Sequence, residues 1–214
     1  MVFEIIYNFI GMLFAFKIEL SALIRIFAGY LLADFIMGIY HWIKDTYFSP
    51  FTPLIGQKLI WGSRLHHIRP RYVIEFSDWA LFSSSAKWTL MWMGPLFYFT
   101  GFTPFMVSLF LTIALNDVVH KYSHMYDYER PGWATFLQKI YLFQSHDEHH
   151  MHHISPHEIH YCPITPFLNI FLEPVDFWRR LENWIELYTG VKPRAQEPEF
   201  IEDLAYPAGI KFIE

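Results

Sequence analysis

Cysteine is almost absent: Cys162 stands alone among 214 residues. A single thiol excludes a disulfide framework and every cysteine-based zinc site. Charge is scarce too. Asp, Glu, Lys and Arg make up 17% of the chain, against about 25% in an average soluble domain. The net charge of −5 provides no basic field, which excludes a nucleic-acid partner. Internal repeats, low-complexity tracts and flavin or nicotinamide fingerprints are missing, as is the HExxH pair of zinc proteases. No signal-peptide pattern is expected, because Glu4 sits early and no small-residue cleavage site follows the apolar stretch.

What is present is grease. The hydrophobic fraction is 53% and the aromatic fraction 20%, which points to a membrane protein or a very apolar enzyme. Segment 88–116 contains no Asp, Glu, Lys, Arg or His. It exceeds the roughly 20 residues of one span and is short for two. Gly94-Pro95 and "TGFTP" at 100–104 interrupt it, so two helices are expected, over 84–101 and 103–124, joined by a tight turn. Nearer the N-terminus, Lys17, Glu19 and Arg25 break an apolar pattern. This predicts separate helices at 2–16 and 22–43, the first lying in the interface or completing a hairpin. An acid within such a helix is costly, so Asp34 is expected at a buried helix–helix contact or else near the site.

Lys44, Lys58, Arg64, Arg69, Arg71 and Lys87 lie between the apolar blocks, and Lys121, Arg130, Lys139, Arg179 and Arg180 follow the second. A returning hairpin places both groups on one face, the cytoplasmic one, together with all 12 histidines. The expected architecture is therefore all-α: an integral membrane helical bundle over residues 1–196. A cytoplasmic histidine-rich helical cap would come from 44–83 and 125–196. Phe177, Trp178, Leu181, Trp184, Ile185 and Tyr188 recur at helical spacing, predicting an amphipathic helix packed on the bundle and ended by Gly190. Residues 197–214 read as an acidic tail.

Seven of the 12 histidines fall between His146 and His160. On a helix, residues i, i+3 and i+4 share a face. That spacing joins His41 to Asp45, His120 to His124, and His149 to His152 and His153, with His150 turned away. His66 and His67 are adjacent, and Pro70 follows. Neutral imidazole suits zinc, copper and iron. A tetrahedral zinc takes about four ligands, so eight histidines fit two metals better than one. Iron, unlike zinc, has the redox chemistry to activate dioxygen. Activity is expected to fall as pH drops toward the free imidazole pKa of about 6.5.

The segments "ADFIMGIYHWIKDT" (33–46), "RLHHIRP" (64–70), "HKYSH" (120–124), "HHMHHISPHEIHYC" (149–162) and "FWRRLENWIELYTGVKPRA" (177–195) resemble, in order and spacing, the Kua lipid-desaturase family. Plasmanylethanolamine desaturases and the bacterial CarF proteins belong to it. The resemblance implies a membrane-bound di-iron enzyme. Its metal ligands would be His41, His66, His67, His120, His124, His149, His152 and His153. His157 would be an additional ligand or lie just behind one, and Asp45 would hold a ligand histidine by a hydrogen bond. His146, His150 and His160 have no counterpart and read as surface or local-packing residues.

The resemblance also implies two irons, O2 as co-substrate and a cytochrome b5- or ferredoxin-like electron donor. The substrate would be a 1-O-alkyl phosphoethanolamine lipid, converted to a vinyl-ether plasmalogen. The host membrane would be the endoplasmic reticulum in a eukaryote or the inner membrane in a bacterium. Two alternatives stay open: a fatty-acyl desaturase or hydroxylase with the same site, and a non-enzymatic membrane metal-binding protein. The chain departs from the family pattern at "RYVIEFSDWALFSSS", at Pro163 and Pro166, and at Asp117.

Overall fold

A computed structural model describes residues 2–154 and 156–194, with side chains from Glu19 onward. The tail expected at 197–214 lies outside the described residues. Helices and turns account for the elements, and no strand occurs among the described residues, as the all-α expectation requires.

The first helix, α1, runs unbroken over Val2–Tyr47, where two helices were expected. Lys17, Glu19 and Arg25 interrupt hydropathy but not helix propensity. Lys, Glu, Arg, Leu and Ala are all good helix formers, and neither Gly nor Pro stands between residues 12 and 28. Its Glu19–Tyr47 part is long and apolar enough to cross a membrane.

A π-helical turn, Gly56–Ile60, leads into α2, Trp61–Ile68, and a 3-10 turn, Pro70–Glu75, follows it. The expected hairpin is α3, Asp78–Thr100, and α4, Pro104–Ser123. Ser77 caps α3 by accepting from the Ala80 N–H, and Thr103 caps α4 by accepting from Met106. The helix α3 continues through Pro95 and ends where Gly101 adopts a left-handed φ of 71°.

Helix α4 packs lengthwise on α1 and on α3 around Ala33, Met93, Met106, Leu109 and Ile113. Close approach depends on Gly29: a Cβ there would lie 2.5 Å from the Phe105 carbonyl oxygen. This packing brings the C-terminal ends of α1 and α4 together.

Four short helices complete the cap: α5 Gly132–Lys139, α6 His146–His152, α7 Pro166–Leu172 and α8 Phe177–Thr189. A capping box between Ser145 and Glu148 starts α6. Left-handed Gly190 ends α8, as its position predicted. Trp178, Leu181 and Ile185 of α8 pack with Trp42 and Tyr161. Trp184 and Tyr188, expected on that packed face, point outward instead and are 67% and 81% exposed. Helical periodicity groups apolar residues but does not say whether a broad apolar arc meets one surface or two.

Of the two placements expected for Asp34, the helix–helix contact does not occur: the acid meets the backbone segment that leads to the histidine-rich end. Fully buried, its carboxylate accepts from the backbone N–H groups of Ile164 (2.9 Å) and Thr165 (3.3 Å). It pins the non-helical segment before α7 onto α1, giving that segment's amides partners they would otherwise lack.

Valine at Gly29 must push α4 away, and is expected to destabilise the fold by about 1–3 kcal/mol. Gly62, exposed on α2, would set a Cβ within 4 Å of nothing beyond its own helix and chain neighbours, so Gly62→Ala is expected to stabilise by about 0.5–1 kcal/mol. Thermal unfolding in detergent checks both. Equal effects would contradict the close-approach account.

Candidate metal centre

The C-terminal ends of α1 and α4, together with α2 and α6, bring the eight expected histidines to one place in two neighbouring clusters. The first joins His66, His120, His124, His149 and His153; the second joins His41, Asp45, His67 and His152. Within each cluster the candidate ligand atoms lie within 4.8 Å of one another, and either cluster could hold a metal.

The partition is made by neighbouring residues pointing apart. His66 and His67 on α2 serve different clusters. On α6, His149 and His153, four residues apart, share the first cluster, while His152 turns to the second. The expected single face of His149, His152 and His153 is thus divided. His150 is exposed, and His146 directs Nδ1 at the Ser123 carbonyl oxygen (2.9 Å), a local packing role.

In the first cluster Nε2 atoms crowd together. His120 and His149 are separated by 2.9 Å, His66 and His124 by 3.0 Å, and His149 and His153 by 3.1 Å. In the second, His67 and His152 are 3.2 Å apart.

The opposite edges of three rings fix their tautomers. His41 Nδ1 lies 3.1 Å from the Tyr161 carbonyl oxygen, and His152 Nδ1 lies 2.8 Å from that of Ile159. His149 Nδ1 lies 3.1 Å from Gln144 Oε1. These oxygens can only accept, so each Nδ1 carries the proton and each Nε2 presents a lone pair inward.

Asp45 sits among the ring nitrogens rather than behind one. Its Oδ1 accepts from Arg64 Nη1 (2.9 Å) and Ser63 Oγ (3.1 Å). Its Oδ2 is buried and receives no hydrogen bond, yet lies 3.2, 3.4 and 3.5 Å from Nε2 of His41, His67 and His152. A carboxylate oxygen facing two imidazole lone pairs in a buried site is repulsive unless a cation lies between them. The donor set therefore fits a metal ion. Arg64 also donates to the Lys44, Asp45 and Phe48 carbonyl oxygens, closing the end of α1. Sequence reading passed over this role, because Arg64 lies 19 residues from Asp45 and no local pattern links them.

His157 joins neither cluster. Its ring stacks on His67 at a centroid distance of 4.6 Å, and its Nδ1 lies 3.0 Å from the His152 carbonyl oxygen. It braces two donors from outside the cage.

Burial holds the His66, His149 and His153 rings well below the usual imidazole range, and neighbouring imidazoles push the same way. Burial acts likewise on His67, against the opposing pull of Asp45. These rings stay neutral below the free imidazole pKa, which shifts the acid limit expected from the sequence to lower pH.

Comparison with known proteins gives the family of the chain. The lipid desaturase domain matches residues 30–196. A probable fatty acid desaturase of Acanthamoeba polyphaga mimivirus is 68% identical over 89% of the chain and 96% of its own length. Mouse plasmanylethanolamine desaturase 1 is 31% identical over 94% of the chain and 79% of its own. The Myxococcus xanthus plasmanylethanolamine desaturase is 31% identical over 79% of the chain and 62% of its own. No solved structure matches the chain significantly.

The depressed histidines set a pH dependence of stability. The unfolded chain takes up protons below about pH 6.5, while the folded rings resist them. Their contribution is complete above that pH and is lost progressively as pH falls below it. The unfolding temperature of chelator-treated protein is therefore expected to decline from about pH 6.5 downward. A flat profile to about pH 5 would contradict the assigned burial.

Proposed function

Because the chain belongs to the lipid desaturase family, we propose that this oxidoreductase is an integral-membrane di-iron enzyme acting on lipids. It would convert 1-O-alkyl phosphoethanolamine lipids to vinyl-ether plasmalogens. One iron would be held by His66, His120, His124, His149 and His153, the other by His41, Asp45, His67 and His152. The observation that carries the reading is Asp45 Oδ2, buried without a donor and aimed at three imidazole nitrogens.

Iron bound there would supply the redox chemistry by which O2, two electrons and two protons remove two hydrogens from adjacent carbons, leaving a double bond and two waters. The chain's own residues hold and shield that chemistry. Carbonyl oxygens of Ile159 and Tyr161 keep protons on the outer edges of His152 and His41. Arg64 and Ser63 occupy one Asp45 oxygen and leave the other for the cation. Full burial of His149 and His152 excludes water that would compete for the donors.

Five donors in one cluster and four in the other leave about one and two positions of a six-coordinate ion for exogenous groups. A cytochrome b5- or ferredoxin-like donor would supply electrons one at a time. Outward-facing Trp88, Met91, Tyr98 and Phe99 of α3, with Trp184, Leu187 and Tyr188 of α8, suit contact with lipid. In the membrane, of the endoplasmic reticulum in a eukaryote or the inner membrane in a bacterium, the cap would face the cytoplasm.

A second reading is a fatty-acyl desaturase or hydroxylase using the same centre. It is favoured by the name of the viral relative at 68% identity. Expression in plasmalogen-free cells, followed by lipid mass spectrometry, separates the two. Acid-labile vinyl ethers are expected; a new acyl double bond or hydroxyl supports the second reading. Purified protein is expected to carry about two irons, the number the two clusters provide for. His153→Ala is expected to abolish turnover and His150→Ala to preserve it. Reversible exchange of several metals without oxygen consumption would instead indicate a metal-binding protein and overturn both enzymatic readings.

A further inference from the structure

One uncharged side chain reaches the supports of both clusters. Gln144 is fully buried and immediately precedes the N-cap of α6. Its backbone N–H donates to the Ile164 carbonyl oxygen (2.7 Å), and its own carbonyl accepts from Ser123 Oγ (3.0 Å) and Gln138 Nε2 (3.0 Å). Its side chain therefore has little freedom, and both ends are engaged. Nε2 donates to the Cys162 carbonyl oxygen (3.3 Å), which can only accept. That orientation leaves Oε1 for the Nδ1 proton of His149 (3.1 Å).

The two arms end in different clusters. The first ends at His149, one of the five histidines. The second holds Cys162, whose preceding residue Tyr161 offers its carbonyl oxygen to His41 Nδ1 (3.1 Å). The Asn169 amide brackets the same residue, accepting from the Cys162 N–H (3.1 Å) and donating to its carbonyl (2.8 Å). Gly38 admits it against α1, since a Cβ there would lie 2.6 Å from Cys162 Sγ. Only a side chain carrying an acceptor and a donor can serve both arms. Glutamate keeps the first and turns a carboxylate oxygen on the Cys162 carbonyl; methionine keeps neither.

We propose that Gln144 is the positioning residue that sets both metal clusters, orienting His149 directly and His41 through Cys162, whose N–H shares a peptide with the Tyr161 carbonyl oxygen. The proposal rests on the metal reading above. A group behind a metal-bound imidazole is worth about ten- to a hundredfold in metal affinity.

The test is Co2+ titration of the purified, metal-stripped full chain, read from cobalt absorption bands rather than turnover. A His41→Ala/Asp45→Ala background leaves two donors in the second cluster and isolates the first; a His66→Ala/His120→Ala/His153→Ala background leaves two in the first and isolates the second. In the four-donor cluster, Gln144→Glu is expected to weaken Co2+ about tenfold; in the five-histidine cluster it should leave affinity within about twofold. Gln144→Met is expected to weaken both about tenfold or more and to shift the cobalt spectrum.

Affinities unchanged in both variants would overturn the proposal. So would equal losses in both clusters for both variants, tracking a fall in the unfolding temperature of metal-free protein, since that marks a purely structural role. If Gln144→Met does not fold, the cluster-selective effect of Gln144→Glu decides. A parent chain that binds no Co2+ overturns the metal reading itself. A parent that binds two, with variants that change nothing, overturns only the role of Gln144.

Discussion

Everything at the capped end of the bundle depends on one electrostatic constraint: donors face inward without protons to share. Asp45 Oδ2 confronts His41 and His152, whose protons are committed to backbone carbonyls on the far side. Such a set is repulsive when dry, and water has little room among fully buried rings. A cation there would turn the same repulsion into ligation, and folding of the cap and metal binding would become one equilibrium. The long helices act as rods that fix the positions. The packing of α1 on α4 through Gly29 decides how far His41 and Asp45 stand from His120 and His124.

The non-helical segment 159–165, which turns at His160 with a left-handed φ of 58°, is the counterpart of those rods. It has no partner strand among the described residues, yet its backbone is anchored repeatedly. Asp34 takes the amides of Ile164 and Thr165, Asn169 brackets Cys162, and Glu173 Oε1 accepts from the His160 N–H (2.7 Å). Its carbonyls then orient His41 and His152. The buried acid of α1, costly in itself, stabilises the piece of backbone that keeps two donors correctly turned.

Much of this was legible in the chain and some was not, for physical reasons. The α3–α4 hairpin followed from a charge-free run broken at Gly101 to Pro104, because glycine and proline act locally. The continuity of α1 was hidden, since charged residues lower hydropathy without lowering helix propensity. The eight histidines could be picked out by helical spacing and family resemblance. Their division could not, because spacing defines a face of one helix while the partition depends on where α2 places His66 and His67. The positioning contacts of Arg64 and Gln144 gave no signal. Their partners are distant in sequence or lie in the backbone, and a guanidinium or amide has no diagnostic spacing.

The central claim is that two cations sit side by side, one among five imidazoles and one among three imidazoles and a carboxylate. Anomalous diffraction at the iron edge from crystals of iron-loaded protein tests it most directly. The account predicts two peaks per chain. One is bound by Nε2 of His66, His120, His124, His149 and His153; the other by Nε2 of His41, His67 and His152 with Oδ2 of Asp45. A single peak, coordination through Nδ1, or an Asp45 carboxylate turned away from the metal would contradict it.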